Sequence, residues 1–178
     1  MKDVVRGHVK KKRKTRDLKP IVYLRFNIRS KGKPKIVTLK ALLDSGASAS
    51  LIDKQHCKKL RAKPLKEGKE TVWTTPAGNV STNAKTRAKF IMTELHYDRA
   101  IQWDLHVAPS LGSYDVILGR DFMQDLGIDI LNSECTIQWD GASIPMKDTD
   151  DKASEMFHIG DTASVDEATN RLKSILDA

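Results

Sequence analysis

The sequence predicts an all-β fold carrying one or two short helices, and two patterns support it. Apolar and polar residues alternate over short runs. Val22, Leu24, Phe26 and Ile28 alternate with Tyr23, Arg25, Asn27 and Arg29, and Ile101, Trp103, Leu105 and Val107 with Gln102, Asp104 and His106. That is the period of a strand with one face buried. Other apolar runs stop abruptly at turn residues: Ala41-Leu42-Leu43 runs into Asp44-Ser45-Gly46, and Val116-Ile117-Leu118 into Gly119. Short runs bounded in this way read as core strands.

Length and charge set the outline. The 178 residues suit one domain with tails, since domains usually run to about 100–200 residues. A charged fraction of 30% and a hydrophobic fraction of 39% describe a soluble globular chain, slightly lean in core. No apolar run approaches the ~18 residues needed to span a bilayer. The basic opening lacks the apolar stretch of a signal peptide, so the expectation is a cytoplasmic or nuclear setting without membrane contact. Cys57 and Cys135 are too few for a disulfide framework or a zinc knuckle and read as buried or partly buried thiols. No metal and no cofactor is expected.

The net charge of +8 is unevenly spread: Met1 to Pro20 holds nine Lys/Arg against Asp3 and Asp17, whereas Lys147 to Ala178 holds four basic and eight acidic residues. Opposite-sign tails around a mixed centre suggest a basic flexible linker over 1–19, a folded domain over 20–147, and an acidic linker with a short helix over 148–178. In the last part Ser164-Val165-Asp166-Glu167 is a capping box, and Ala168, Leu172, Ile175 and Leu176 follow on one face. The run Lys10 to Lys14 has nothing apolar to bury. It reads as a solvated linker, with weak contact to a phosphate backbone as its functional alternative. No interleaved aromatics support base stacking.

In chain order, a strand over Val22–Ile28 turns at Ser30 to Pro34, and Lys35 to Leu43 returns. After Leu51-Ile52, Asp53 caps a short helix to about Leu60. His56 and Cys57 are adjacent on it and so do not face each other as a catalytic pair. Lys58 to Lys69 reads as an exposed basic loop. Glu70 to Thr75 and Val80 to Met92 are strands flanking the turn-rich tip Thr75-Pro76-Ala77-Gly78-Asn79, an ordinary surface hairpin on residues alone. A strand over 101–107 and a loop over 109–113 follow. Val116 to Leu118 then enters the core, a helix spans Arg120 to Leu126 and Gly127 ends it. Thr136 to Asp140 and Ala142 to Met146 form a last hairpin about Gly141. His8, His96, His106 and His158 are scattered and read as surface or strand histidines.

Asp44 is the candidate chemical group. A carboxylate at the end of a buried strand is desolvated, which raises its pKa, and Gly46 permits close backbone approach beside it. A plain Asx-type turn needs nothing more than this. The second motif, Ile117-Leu118-Gly119-Arg120-Asp121, changes the balance. Asp44-Ser45-Gly46-Ala47-Ser48 together with this downstream motif resembles the retropepsin family of aspartic proteases, in particular those of gypsy-type LTR retrotransposons. The resemblance runs from about Pro20 to Lys147. It implies a closed β-barrel with a flap hairpin, forming one lobe of a twofold homodimer.

The resemblance further implies a catalytic Asp44 with Ser45 and Gly46, and substrate contacts from Ala47 and Ser48 and from a flap tip at Pro76, Ala77, Gly78 and Asn79. It implies a polypeptide substrate, here a retroelement polyprotein, and a setting within virus-like particles or the nucleus as alternatives to the cytoplasm. Only one Asp-Ser-Gly is present, so the chemistry requires the second carboxylate from another copy. Many retroviral members carry an acid where this chain has Ser48, which leaves the partner of Arg120 unassigned; a structural Arg–carboxylate contact is the expected role. Two other readings compete with a peptidase: a retropepsin-like binding or dimerisation module with weak cleavage, and a nucleic-acid-associated protein with an incidental β-domain.

Overall fold

The computed structural model describes residues 17–60, 62, 65–75 and 78–148. The basic and acidic tails, the C-terminal helix, and Pro76 and Ala77 at the hairpin tip lie outside the described residues. Strands β1 (Leu18–Lys19), β2 (Ile21–Ser30), β3 (Lys33–Leu43) and β4 (Leu51–Asp53) lead into helix α1 (Lys54–Leu60). Then come β5 (Leu65–Thr75), β6 (Gly78–Ile91), β7 (Ala100–Ala108) and β8 (Val116–Leu118). Helix α2 (Arg120–Leu126) precedes β9 (Ile128–Leu131), β10 (Thr136–Trp139), β11 (Ala142–Pro145) and β12 (Lys147–Asp148).

Six strands close into a barrel. The sheet runs β2-β3-β8-β4-β7-β6-β5, and β2 also pairs with β6 through Arg25↔Ile91, so the ring closes and only β5 stands outside it. Closure removes exposed barrel edges, and the expected closed barrel with short helices is found. Its interior follows the alternation read from the sequence: Val22, Leu24 and Phe26 from β2, Leu39, Ala41 and Leu43 from β3, and Ala88 and Phe90 from β6 are all buried. Phe90 lies 5.5 Å from Phe26 and 6.0 Å from Phe122, centroid to centroid. Fully burying a side chain of this size is worth about 1.5–3 kcal/mol, so the aromatic line from β2 through β6 to α2 fixes that helix against the barrel.

Three features depart from the expectation. Part of the basic stretch read as a loop is strand, since β5 begins at Leu65 and pairs with β6 through Leu65↔Lys85; pairing with β6 decides its conformation despite the charges. β9 was missed, because a four-residue strand leaving a helix shows too little periodicity. It pairs with β10, which pairs with β11, in a separate three-stranded sheet. Finally, β1 pairs with β12 through Leu18↔Asp148 and Lys19↔Lys147, just beyond the 20–147 span expected for the domain. Lys147 Nζ reinforces that junction, donating to the Ile21 carbonyl (3.0 Å) and lying 2.7 Å from Glu94 Oε2.

Candidate active site

Strand β3 delivers Asp44. It runs parallel to β8 with Ala41↔Val116, Leu42↔Ile117 and Leu43↔Leu118 in register. Both sides of its end are tied: the Leu43 N–H donates to the Pro20 carbonyl and the Asp44 N–H to that of Leu118, each at 2.9 Å. The chain then turns. The Gly46 N–H donates to Asp44 Oδ1 at 2.9 Å and the Ala47 N–H to the Asp44 carbonyl at 3.1 Å. Asp44 is half-buried rather than fully buried, and Ser45, Gly46 and Ser48 are exposed. The strand supporting the carboxylate is buried; the carboxylate itself faces an opening.

Glycine is required at 119 for space. A Cβ there would lie 2.5 Å from the Ala49 carbonyl oxygen and 2.8 Å from that of Ala47, distances that side-chain carbons do not tolerate. The loop after Asp44 therefore crosses directly over the β8–α2 junction. The Arg120 N–H donates to the Ala47 carbonyl at 2.8 Å. Beneath it Ser50, fully buried, accepts from the Gly119 N–H (3.0 Å) and donates to Asp121 Oδ1 (2.8 Å). The other Asp121 oxygen accepts from Trp103 Nε1 at 3.2 Å. Asp121 thus joins the Asp44 loop, the start of α2 and strand β7. Sequence reading assigned Asp121 to a structural motif but missed Ser50 and Trp103, which are remote from it in the chain.

Arg120 corrects one expectation. Its side chain is exposed and has no carboxylate partner among the described residues; Ser48 stands where an acid would be needed. Arg120 instead lines an open groove of about 490 Å³ beside Asp44, whose walls include Pro20, Leu42, Met123, Ile128 and Ile130. That groove mixes these apolar walls with Ser45, Gln124 and Asn132, and it flanks the carboxylate directly. The Ala47 N–H and C=O are both bonded within the chain, to the Asp44 carbonyl and the Arg120 N–H. The Ala47 side chain is buried in a small apolar cluster with Leu51, Val80, Ala108, Leu111 and Ile117.

The β5–β6 hairpin reaches this cluster. Trp73↔Val80 is one of its register pairs, and Trp73 packs on the cluster. The indole donates to Thr82 Oγ1 at 2.8 Å and its ring lies 4.5 Å from the His106 ring. At the tip Thr75↔Gly78 is the last pair, Gly78 takes φ 108°, and Gly78 and Asn79 are exposed. Trp73 is a third residue that sequence reading left unassigned.

Of the residues lining the groove, Asp44 alone is an acid. Asp115 adjoins Lys40 in the β3–β8 pairing, donating to and accepting from that backbone. Four residues of strand separate Lys40 from Asp44, roughly 13 Å. Asp115 Oδ1 also lies 2.7 Å from His56 Nε2, and buried Asp53 caps α1 and accepts from the Leu111 N–H. These groups brace the barrel away from Asp44. Burial raises the pKa of Cys57 beside them. Among the described residues no set of three or more His, Cys, Asp or Glu side chains is placed to hold a metal ion, and no helix is long and apolar enough to cross a membrane.

Comparison with known proteins bears on this site. No curated protein matches the chain. The retroviral protease-like domain of Ddi1 from Leishmania major is similar in structure, with 18% identity, a TM-score of 0.50, and coverage of 74% of this chain and 97% of that one. That likeness concerns the fold. The EIAV protease in complex with the inhibitor HBY-793 is 25% identical with a TM-score of 0.41, covering 69% of this chain and 99% of its own. The family model described as gag-polyprotein putative aspartyl protease matches residues 32–125, which contain β3, Asp44-Ser45-Gly46, the β5–β6 hairpin and Gly119-Arg120-Asp121. The chain belongs to the gag-polyprotein aspartyl protease family.

Proposed function

We propose that this protein is an aspartic endopeptidase that works as a twofold homodimer on a polypeptide, with a retroelement polyprotein as its substrate. The carrying observation is the half-buried Asp44 as the one acid lining an open groove, with Asp115 and Asp121 committed elsewhere. Peptide hydrolysis by carboxylates needs two of them sharing a proton, because one accepts a proton from water while the other donates one to the scissile carbonyl. Asp121 has both oxygens occupied and Asp115 is displaced along the strand, so the second member is Asp44 of another copy. The groove lined by Leu42, Met123, Ile128 and Ile130 and the unpaired side of β9 are where that copy would sit.

In the first step the ionised Asp44 takes a proton from water as the oxygen attacks the carbonyl carbon, and the protonated Asp44 gives its proton to the carbonyl oxygen. Collapse of the tetrahedral intermediate breaks the C–N bond, and a carboxyl proton passes to the leaving amine. Gly46 N–H, already bonded to Asp44 Oδ1, holds the carboxylate's orientation. The β5–β6 hairpin would close over the peptide and exclude water. The family description supports the polyprotein substrate. The test is cleavage of a gag-type polypeptide by the purified chain at mildly acidic pH, blocked by pepstatin. Absence of products from a folded dimer would contradict the proposal and favour a binding module.

A further inference from the structure

A second surface lies at the opposite end of the barrel. Between Leu18 and Leu43 the chain carries seven basic residues (19, 25, 29, 31, 33, 35 and 40) and no acidic one, and Gly78–Ile91 carries three (85, 87 and 89), again with none acidic. These segments are neighbours, because β2 pairs with both β3 and β6. Some of the charge is accounted for: Lys19 pairs with Asp17, Arg87 with Asp104, and Lys40 lies over the Tyr114 ring. Arg25, Arg29, Lys31, Lys33, Lys35 and Lys89 have no acidic partner among the described residues, and the Arg25 Nε is buried without a hydrogen-bond partner.

Their placement is extended rather than convergent. Strand alternation puts Arg25 and Arg29 on one face with Arg87 and Lys89 of β6, since Arg25 pairs with Ile91 and the strands run antiparallel. Lys31 and Gly32, with φ of 52° and 77°, form the two-residue turn, and every residue from Lys31 to Ile36 is exposed. Arg29 is paired with Pro34, whereas Lys33 is paired with Ser30 and Lys35 with Ile28, so Lys33 and Lys35 lie on the other face of the ribbon from Arg29 and the exposed hairpin end carries cations on both faces, up to about 35 Å along β3 from Asp44. No cavity gathers them around a small anion. A hollow of about 310 Å³ on the adjoining β6–β7 face is lined by Arg87, Gln102, Trp103 and Asp104, but its Arg87 is already paired with Asp104, so it gathers none of the unpaired cations.

We infer that the exposed end of the β2–β3 hairpin and the adjoining β6 face bind the phosphate backbone of nucleic acid, single strands included, without sequence preference. A polymer with a charge at every nucleotide suits spread, unpaired cations, whereas recognition of a folded partner or a peptide would require shape or pockets. Base readout needs aromatic or hydrogen-bonding side chains aimed at bases, whereas cations predominate on this face. The surface is separate from the Asp44 loop, so it stands whether or not the chain is a peptidase.

The test is fluorescence anisotropy of the full-length chain with a labelled mixed-sequence RNA of ~20 nucleotides, titrated between about 50 and 200 mM salt. The R29Q/K31Q/K33Q/K35Q variant should bind at least ~10-fold more weakly at low salt and lose about 2–3 from the slope of log K against log salt, near 0.7 per phosphate contact. A chain with Lys10 to Lys14 changed to glutamine should keep the hairpin-dependent share of that slope. If the fourfold variant does not unfold at the wild-type temperature, K31Q/K33Q at the exposed turn carries the test, with a loss of about 1.4. Unchanged affinity and slope in the hairpin variants would overturn the inference. So would binding only to phosphatidylserine vesicles, or only to a synthetic peptide of residues 150–178.

Discussion

Asp44 is held by backbone, and the consequences of altering it separate chemistry from structure. Asp44→Asn keeps an oxygen to accept from the Gly46 N–H at 2.9 Å, so the fold should persist with its melting temperature within a few degrees. Peptidase activity should fall by at least about 10³-fold, as expected when a member of a catalytic pair is removed. Folded Asp44→Asn protein cleaving at the wild-type rate would rule out its assigned role. Gly119→Ala acts in the opposite way: its Cβ would meet the Ala49 carbonyl at 2.5 Å, and displacing that backbone should cost about 3 kcal/mol, in the upper range for overpacking. Urea unfolding measures it, and a neutral result would mean the loop can shift. Trp103→Phe keeps the ring that meets Phe122 edge-on at 5.3 Å but deletes the donor to Asp121. Leaving a carboxylate oxygen short of a partner should cost about 1–3 kcal/mol.

At the scale of elements, the alternating strands were legible because one face of each is buried, as at Val22, Leu24 and Phe26. Both helices were legible from their boundaries: Asp53 Oδ1 accepts from the Gln55 N–H at 3.0 Å, and Gly127 takes the left-handed φ of 71° that ends α2. The motifs at Asp44 and Gly119 were legible too, since tight turns after apolar runs leave few other residue choices. What sequence could not give is the pairing: that Ser50 reaches Asp121, that Trp73 of the hairpin packs near Ala47, and that β5 extends back into a basic stretch. Each depends on partners distant in the chain. Trp73 anchors the hairpin root, so Trp73→Ala should speed amide exchange across β5 and the first half of β6 while sparing β2 and β3. Uniform exchange in all four strands would show the hairpin is held elsewhere. Burial raises the Cys57 pKa and lowers its thiolate fraction, so iodoacetamide should label Cys135 first in native protein and Cys57 only after unfolding. The charge pairs set the usable pH. Side-chain hydrogen bonds from Arg87 and Arg99 hold Asp104 and Asp140 below the usual 3.8. Their contributions are present above that value and lost only as pH falls through the lower folded values, so a mildly acidic assay leaves both intact.

The whole molecule joins a closed barrel to a site that, on the proposed mechanism, is complete only in pairs. The closed barrel, the β9–β11 sheet and the β1–β12 pair all lie within residues 17–148, so a chain trimmed to that span should unfold cooperatively. Trimming one step further, to 20–147, removes the Leu18↔Asp148 and Lys19↔Lys147 pairs and should lower the melting temperature. The reverse ranking would place a tail inside the domain. Each barrel carries one Asp44, the one acid lining the groove beside it. Activity should therefore follow the concentration of dimer rather than of chain. The most direct measurement is cleavage rate per chain over a dilution series, with sedimentation at each concentration, repeated in the presence of excess Asp44→Asn protein. The account predicts that specific activity falls as the dimer dissociates and that the variant suppresses wild-type activity by forming heterodimers with one carboxylate. A monomer that keeps full activity per chain, unaffected by the variant, would contradict it.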